Sequence, residues 1–221
     1  MPTERFFHLP TEKKQRIVNA AIAELSRTPF DSISINKIVQ AADIPRGSFY
    51  QYFEDKLDLL GFLLQDFKNE MLQLFLQTLD ATNGDIFAAC LAALDVTISY
   101  GTKAENIAMA QNIFPHLKLE DGRCVFPVLL THLPANAAPC QKEDYESIQQ
   151  LVGYLLSFPQ NVMPEQELRN LLEILVALFR YTVAQTFFHL EQKEEIRENF
   201  QSKLSILKRC MQKEVPHHVE I

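Results

Sequence analysis

The sequence predicts an all-α protein, with a three-helix head at the N-terminus and a helical body behind it, about nine to ten helices in all. Three observations lead there. The 221 residues hold only six glycines. Prolines fall mostly between periodic stretches. No alternating run of Val, Ile or Thr of strand length is flanked by hairpin turns. With 47% hydrophobic and 22% charged residues, the chain has the composition of a globular protein with a real core, not of a disordered one.

Each element follows from periodicity and end signals. Thr11 is placed to cap a first helix over about 12–27, whose inward side is Ile17, Val18, Ala21, Ile22 and Leu25. That helix stops before Pro29, because proline disfavours helical geometry in the residue ahead of it. Ser34 stands where a hydroxyl caps a short second helix, with Ile35, Ile38, Val39 and Ala42 inward and Asn36, Lys37 and Gln40 outside. Asp43 and Ile44 make the turn. Pro45, preorganised for a first helical position, opens a third helix through Phe53. Glu54 and Asp55 suit the positive end of the next helix. Longer helices then follow over 55–80, about 84–101, 103–113, a broken stretch to 140, 141–158, 165–190 and 192–213. Their loops are marked by Asn83-Gly84, Phe114-Pro115, Asp121-Gly122, the Pro134 to Pro139 segment, and Phe158-Pro159 through Pro164. The expected division is a head over 1–56 and a body over 57–221.

The formal charge of −7 conceals a split. Residues 1–56 carry eight Lys or Arg against seven Asp or Glu, a net +1, which leaves −8 for the rest. A near-neutral head on an acidic body is compatible with a phosphate-bearing partner if the cations share one face. The four cysteines, Cys90, Cys124, Cys140 and Cys210, form no C-x-x-C pair and have no metal-ligand spacing with histidine. Idle thiols in a reducing cytosol are expected, with no metal and no cofactor. No signal-like N-terminus and no apolar run near 18 residues is evident, so a soluble, cytoplasmic protein without membrane contact is expected. His116, His132 and the cysteines offer no nucleophile-base pairing, so an enzyme is not expected, and His217-His218 read as a frayed end.

Two short helices joined by a tight turn, the second rich in hydroxyls, aromatics and an arginine, form the helix-turn-helix arrangement whose second helix enters the DNA major groove. Ile35, Ile38, Ala42, Ile44, Phe49 and Phe53 fall where a three-helix core needs apolar groups. Arg46, Gly47, Ser48, Tyr50, Gln51 and Tyr52 are then left at least partly exposed, suited to phosphates and base edges. Tyr50 and Tyr52 can equally be rim aromatics of a small core, Ser34 and Ser48 simple caps, and Lys56 a solvated charge.

From Phe30 through Ser34-Ile35, Ile38-Val39, Ala42-Asp43-Ile44-Pro45, Gly47-Ser48-Phe49-Tyr50, Tyr52-Phe53 and Lys56 to Leu59, the chain resembles the signature of the tetracycline-repressor (TetR) family. The likeness is detailed over about residues 11–60 and elsewhere lies only in helix number and length. It implies a dimeric one-component regulator whose head grips one half-site of a double-stranded operator. It implies that Ser34, Ser48, Tyr50, Tyr52 and Lys56 hold phosphates, with Asn36 and Lys37 beside them, and that Arg46, Gly47 and Gln51 approach base edges. Arg46 would pair with guanine and Gln51 with adenine. The chain departs from the pattern at Asp43, where glycine is usual, at Pro45, where a capping serine is common, and at Val39, where alanine is usual. Asp tolerates left-handed geometry and Pro fits a first helical turn, so the turn is expected to survive.

The helix from Leu168 to Leu190 is apolar nearly all round and must be buried on two sides. Together with a stripe on the last helix it resembles the pair through which the family dimerises as a four-helix bundle. Leu175, Phe179, Val183, Phe187, Ile196, Phe200, Leu204 and Leu207 are the expected homodimer interface; the alternative is an intrachain core. The family takes a small-molecule effector between its middle helices, and Phe67, Tyr100, Met109, Phe114, His116, Phe126, Tyr154, Phe158 and Phe179 are the candidate lining, with plain core packing as the alternative for each. The implied function is a repressor released by that effector; a DNA-bound structural or interaction factor without a ligand is the other reading.

Overall fold

The computed structural model describes residues 2–116, 145–161 and 163–212, and among these the protein is all α with no strand. Its helices are α1 (Glu4–Phe7), α2 (Thr11–Leu25), α3 (Ile35–Ala41), α4 (Arg46–Tyr52), α5 (Lys56–Leu63), α6 (Gln65–Ala81), α7 (Ile86–Gly101), α8 (Ile107–Ile113), α9 (Tyr145–Leu156), α10 (Glu165–Phe188) and α11 (Lys193–Gln212). The expected loops at Asp121-Gly122 and Pro134 to Pro139 lie outside the described residues.

Local chemistry sets most of the ends. The Ser34 hydroxyl accepts from the Lys37 amide at 3.4 Å, Asp55 accepts from the Asp58 amide at 2.8 Å, and Asp85 accepts from the amides of Phe87 and Ala88 at 3.1 and 3.3 Å. Two helices close with a left-handed residue whose neighbours satisfy the last carbonyls. Asp43 has φ 52°, and the Ile44 amide donates to Val39 at 3.0 Å; Asn83 has φ 54°, and the Gly84 amide donates to Leu79 at 2.8 Å. Thr11 is not a cap: it is the first residue of α2, whose cap position is Pro10 and lacks a side-chain bond. Pro45 likewise precedes α4 as its cap rather than opening it. The single helix expected over 55–80 is two, because the backbone leaves helical geometry at Leu64 (φ −95°, ψ 10°).

The buried residues form two clusters. The head core gathers Phe6, Ile17, Ile38, Phe49, Phe53 and Leu59 among others. The larger body core runs from α6 and α7 through α10 to α11. Helix α5 serves both, giving Leu59 to the head and Leu60 to the body, while Leu25 and Phe30 reach from the head into the body core. Helix α2 also meets α8, so the head is seated on the body at two places. On the far side α11 is tied to α7 by ion pairs Arg197–Asp95 and Lys208–Asp85. Where α7 ends, Gly101 permits close approach: a Cβ there would stand 2.2 Å from Cζ of Phe187.

The stripe expected at the dimer surface points inward. Leu175, Phe179, Val183, Phe187, Phe200 and Leu204 are all buried in the chain's own core, and Ile196 and Leu207 are half-buried. A helix apolar all round does not announce which side meets its own chain, and α7, α9 and α11 claim this one. Among the described residues α10 is also the one helix long and apolar enough to cross a membrane, with only Glu173 and Arg180 charged between Leu171 and Phe188. A central core helix has the same composition, and here the buried face of α10 is spent on that core.

Candidate nucleic-acid interface

Helices α3 and α4 cross beneath the Asp43 turn with Ile38, Val39, Ala42, Ile44, Phe49 and Phe53 packed between them and α2. This leaves one outward surface. Asn36, Lys37, Arg46, Gly47, Tyr50 and Gln51 are exposed on it, and Ser48 is half-buried. Tyr50 stands edge-on to Phe49 at 5.4 Å, so its ring is braced from below while about half of the residue (49%) stays in solvent. Lys37 pairs at 3.7 Å with Glu24, a carboxylate buried in α2 that also accepts from the Ser34 amide at 3.4 Å. Glu24 thereby fixes the start of α3, a role invisible in the sequence because it joins residues ten apart.

Two expected contact residues do other work. Tyr52 is 6% exposed and lies on the inner side of α4, 6.1 Å from the Phe6 ring, so it is a core residue and not a surface one. The cause is α1, which the sequence did not signal. Thr3 clasps the end of α4, its amide donating to Tyr52 at 2.9 Å and its hydroxyl to the Gln51 carbonyl at 2.6 Å, and this sets Phe6 over the tyrosine. Lys56 donates from Nζ to the carbonyls of Phe30 and Asp31, each at 3.0 Å, and sits 4.9 Å over the Phe30 ring. Its charge pins the turn at Phe30–Ser32, so it positions the α2–α3 connection.

Gly47 is different again. A Cβ at this position would meet nothing within 4 Å. Glycine inside a helix costs roughly 0.5–1 kcal/mol relative to alanine, and nothing within the chain requires that cost here.

With this geometry in view the comparisons are specific. Residues 17–61 match the family described as bacterial regulatory proteins, tetR family. The head belongs to the TetR family. Over 44 residues the chain is 36% identical to the transcriptional regulator AcuR of Cereibacter sphaeroides, which is 20% of each chain. The chain thus spans about a fifth of the length of that curated relative. It is also similar to the solved structure of a TetR family transcriptional regulator from Chloroflexus aurantiacus, at 25% identity and a TM-score of 0.43, covering 95% of this chain and 97% of that one. A TetR-family regulator from a Rhodococcus species matches at 13% identity and a TM-score of 0.48, covering 89% and 98%.

Behind the TetR head, the expected effector lining does not form one pocket. Phe67 stacks on Tyr100 at 4.5 Å and meets Phe114 edge-on at 6.1 Å, and Phe114 stacks on Phe187 at 4.8 Å. This is close aromatic packing near Met109, which is buried in the same core. His116 faces Phe188 at 5.7 Å. Tyr154 and Phe158 sit elsewhere, 5.3 Å apart, with the tyrosine hydroxyl donating to Asp80 at 2.6 Å. Burial and that bond push the Tyr154 phenol up to about 12. Phe126 lies outside the described residues. Among the described residues of the expected set, Phe179 lines a cavity that opens between α6, α7, α9 and α10.

Proposed function

We propose that this chain is a dimeric, sequence-specific DNA-binding transcription regulator of the cytoplasm, a repressor released from a palindromic operator by a small-molecule effector. The head over residues 1–56 would read one half-site, and the body over 57–221 would dimerise and sense the effector. The observation that carries the reading is Gly47, a glycine in the first turn of α4, between Arg46 and Ser48, where a Cβ would meet nothing of the chain within 4 Å. Its advantage lies outside the chain, where a backbone that must come close leaves no room for a side chain. Arg46 beside it has the fork that pairs with guanine, and Tyr50, Ser48 and Lys37 have the donors that hold phosphates.

Gly47→Ala separates this role from a folding role. It is expected to raise the stability of the free protein by roughly 0.5–1 kcal/mol, as measured by urea unfolding, while weakening binding to the selected operator. Equal or tighter binding by a stabilised Gly47→Ala protein would contradict the proposal. Arg46→Ala is expected to cost about 1–3 kcal/mol of discrimination at one base pair, read from binding to single-base operator variants.

The dimer surface follows from the faces that the core leaves out. Ile174, Leu178, Tyr181 and Phe188 recur at helical spacing on α10, with Ile174, Tyr181 and Phe188 more than half exposed. Ile206 is exposed on α11, and Lys203 of that helix lies 5.7 Å over the Tyr181 ring, so the two outward faces adjoin. An apolar face of two antiparallel helices is what a two-fold four-helix contact buries. A Tyr181→Asp, Phe188→Asp variant is therefore expected to sediment as a monomer with unchanged helix content and to lose operator binding at concentrations where the parent binds. A variant that remains a dimer would place the interface elsewhere.

A further inference from the structure

The cavity between α6, α7, α9 and α10 has a chemistry that narrows what the body senses. It holds about 70 Å³ and is walled by residues such as Met71 and Phe75 of α6, Cys90 and Ala93 of α7, and Leu175 and Phe179 of α10. Among the described residues no charged side chain, amide or hydroxyl lines it, and the Cys90 thiol is the one weak donor of that lining. Burial pushes that thiol up to about 12, with Asp85 acting in the same direction, so it stays protonated and is no anion site or nucleophile. Thr97, one turn from Ala93, is also taken: its hydroxyl donates to the Ala93 carbonyl at 2.8 Å and approaches Met71 Sδ at 3.4 Å. The lining residues all lie in helices, whose backbone groups bond along the helix beyond the first turn.

We infer that this cavity binds an uncharged, wholly apolar small molecule, an aromatic or aliphatic hydrocarbon or the hydrocarbon end of a longer neutral one. A carboxylate or ammonium entering it would be stripped of water with no partner, and even a hydroxyl would lose its hydrogen bonds. The aromatic cluster around Phe67 and the acidic surface of the body therefore do not set the ligand's character. Size points the same way. The space is about half of the ~150 Å³ of a dry Leu, Ile and Phe-lined cavity that takes benzene. Met71 is unbranched and adaptable, and Phe75 and Val176 are only half-buried, so small rotamer changes at the mouth supply the remainder. The position also suits transmission: Met71 and Phe75 belong to α6, which continues past the bend at Leu64 into α5 and so to Leu59 in the head core.

The inference rests on the effector-controlled reading for its regulatory meaning, and the test separates the two. Benzene, phenol, benzoate and benzylammonium are titrated into the full-length protein by calorimetry, with operator affinity measured in the same solutions. Benzene is expected to bind and, at about ten times its dissociation constant, to raise the melting temperature by roughly 3 °C. Phenol is expected to bind at least tenfold more weakly, and benzoate and benzylammonium not at all. Ala93→Leu, which fills the space, is expected to weaken benzene at least tenfold; the ligand series on the parent protein stands even if this variant folds poorly. No benzene binding, or benzoate binding as well as benzene, overturns the inference. Benzene that binds without changing operator affinity supports the cavity's chemistry and counts against effector control.

Discussion

Phe53→Ala is expected to lower the stability of the head by about 3–5 kcal/mol, the cost of removing a fully buried phenylalanine from a core that cannot collapse around the loss. Phe53 is 0% exposed and is the hub of the head's aromatic packing, with ring centroids 4.9 Å from Phe6, 5.5 Å from Phe49 and 6.2 Å from Phe62. Phe6 belongs to α1, Phe49 to α4 and Phe62 to α5, so one truncation loosens three helices. The head core is small, and a domain's whole stability is only about 5–15 kcal/mol. Urea unfolding followed by far-UV circular dichroism is expected to show an early transition of a fraction of the helix signal, with the α6 to α11 signal persisting, and operator binding is expected to vanish. A loss below about 1 kcal/mol would mean that the head relaxes to fill the space, contrary to the packing described.

Lys68→Met is expected to stabilise the protein at neutral pH. Lys68 is 3% exposed on α6, beneath α5, with Nζ 3.8 Å from where a Gly61 Cβ would stand. Burial lowers its pKa from 10.5 to about 8, with Asp58 pulling the other way. The sign follows from linkage. Above pH 10.5 the amine is neutral folded and unfolded; as pH falls toward 8 the unfolded chain takes up the proton first, and stability is lost. Below pH 8 the full cost is present, on the order of 3 kcal/mol. Lys68→Met removes that cost and keeps the apolar stem, so its advantage over the parent is expected to be largest at pH 7 and to shrink between pH 8 and 10.5, as unfolding free energies measured across that range would show. A destabilised Lys68→Met protein with the parent's pH profile would mean that attraction to Asp58 outweighs burial.

Both residues show where sequence reading succeeds and stops. The α2 to α4 unit was legible because its determinants are local: inward residues at helical spacing, the Ser34 cap, and an Asp43 whose left-handed φ of 52° closes α3 as its residue type permits. Helix α1 was not legible, since four residues carry no periodicity and Phe6 matters only through partners near residue 53. Tyr52 followed it into error, because exposure at the end of α4 depends on whether α1 is there to cover it. Lys56 was found as a residue of interest, but its hold on the Phe30 and Asp31 carbonyls was not legible, since they are 26 and 25 residues away. The bend at Leu64 has no glycine or proline at that residue to mark it. For α10 the difficulty was of another kind. Apolar residues all round make burial certain and direction undetermined, so a stripe that faces the chain's own core was expected outward, while Ile174, Tyr181 and Phe188 are the ones exposed. The cavity was found only at Phe179, since aromatic residues attract attention as ligand walls, whereas Phe67, Tyr100, Phe114 and Phe187 pack on each other and most of the cavity wall is aliphatic or sulfur-bearing.

Whether the head is half of a two-fold DNA reader is decided by selecting the fragments of the host genome that the protein retains, in parallel with Arg46→Ala. The predicted result is one enriched palindromic site with half-site centres about 34 Å apart, or a multiple of that, and an altered preference at one symmetric base pair with Arg46→Ala. No enriched site, or a non-repeating site whose sequence Arg46→Ala leaves unchanged, would contradict it.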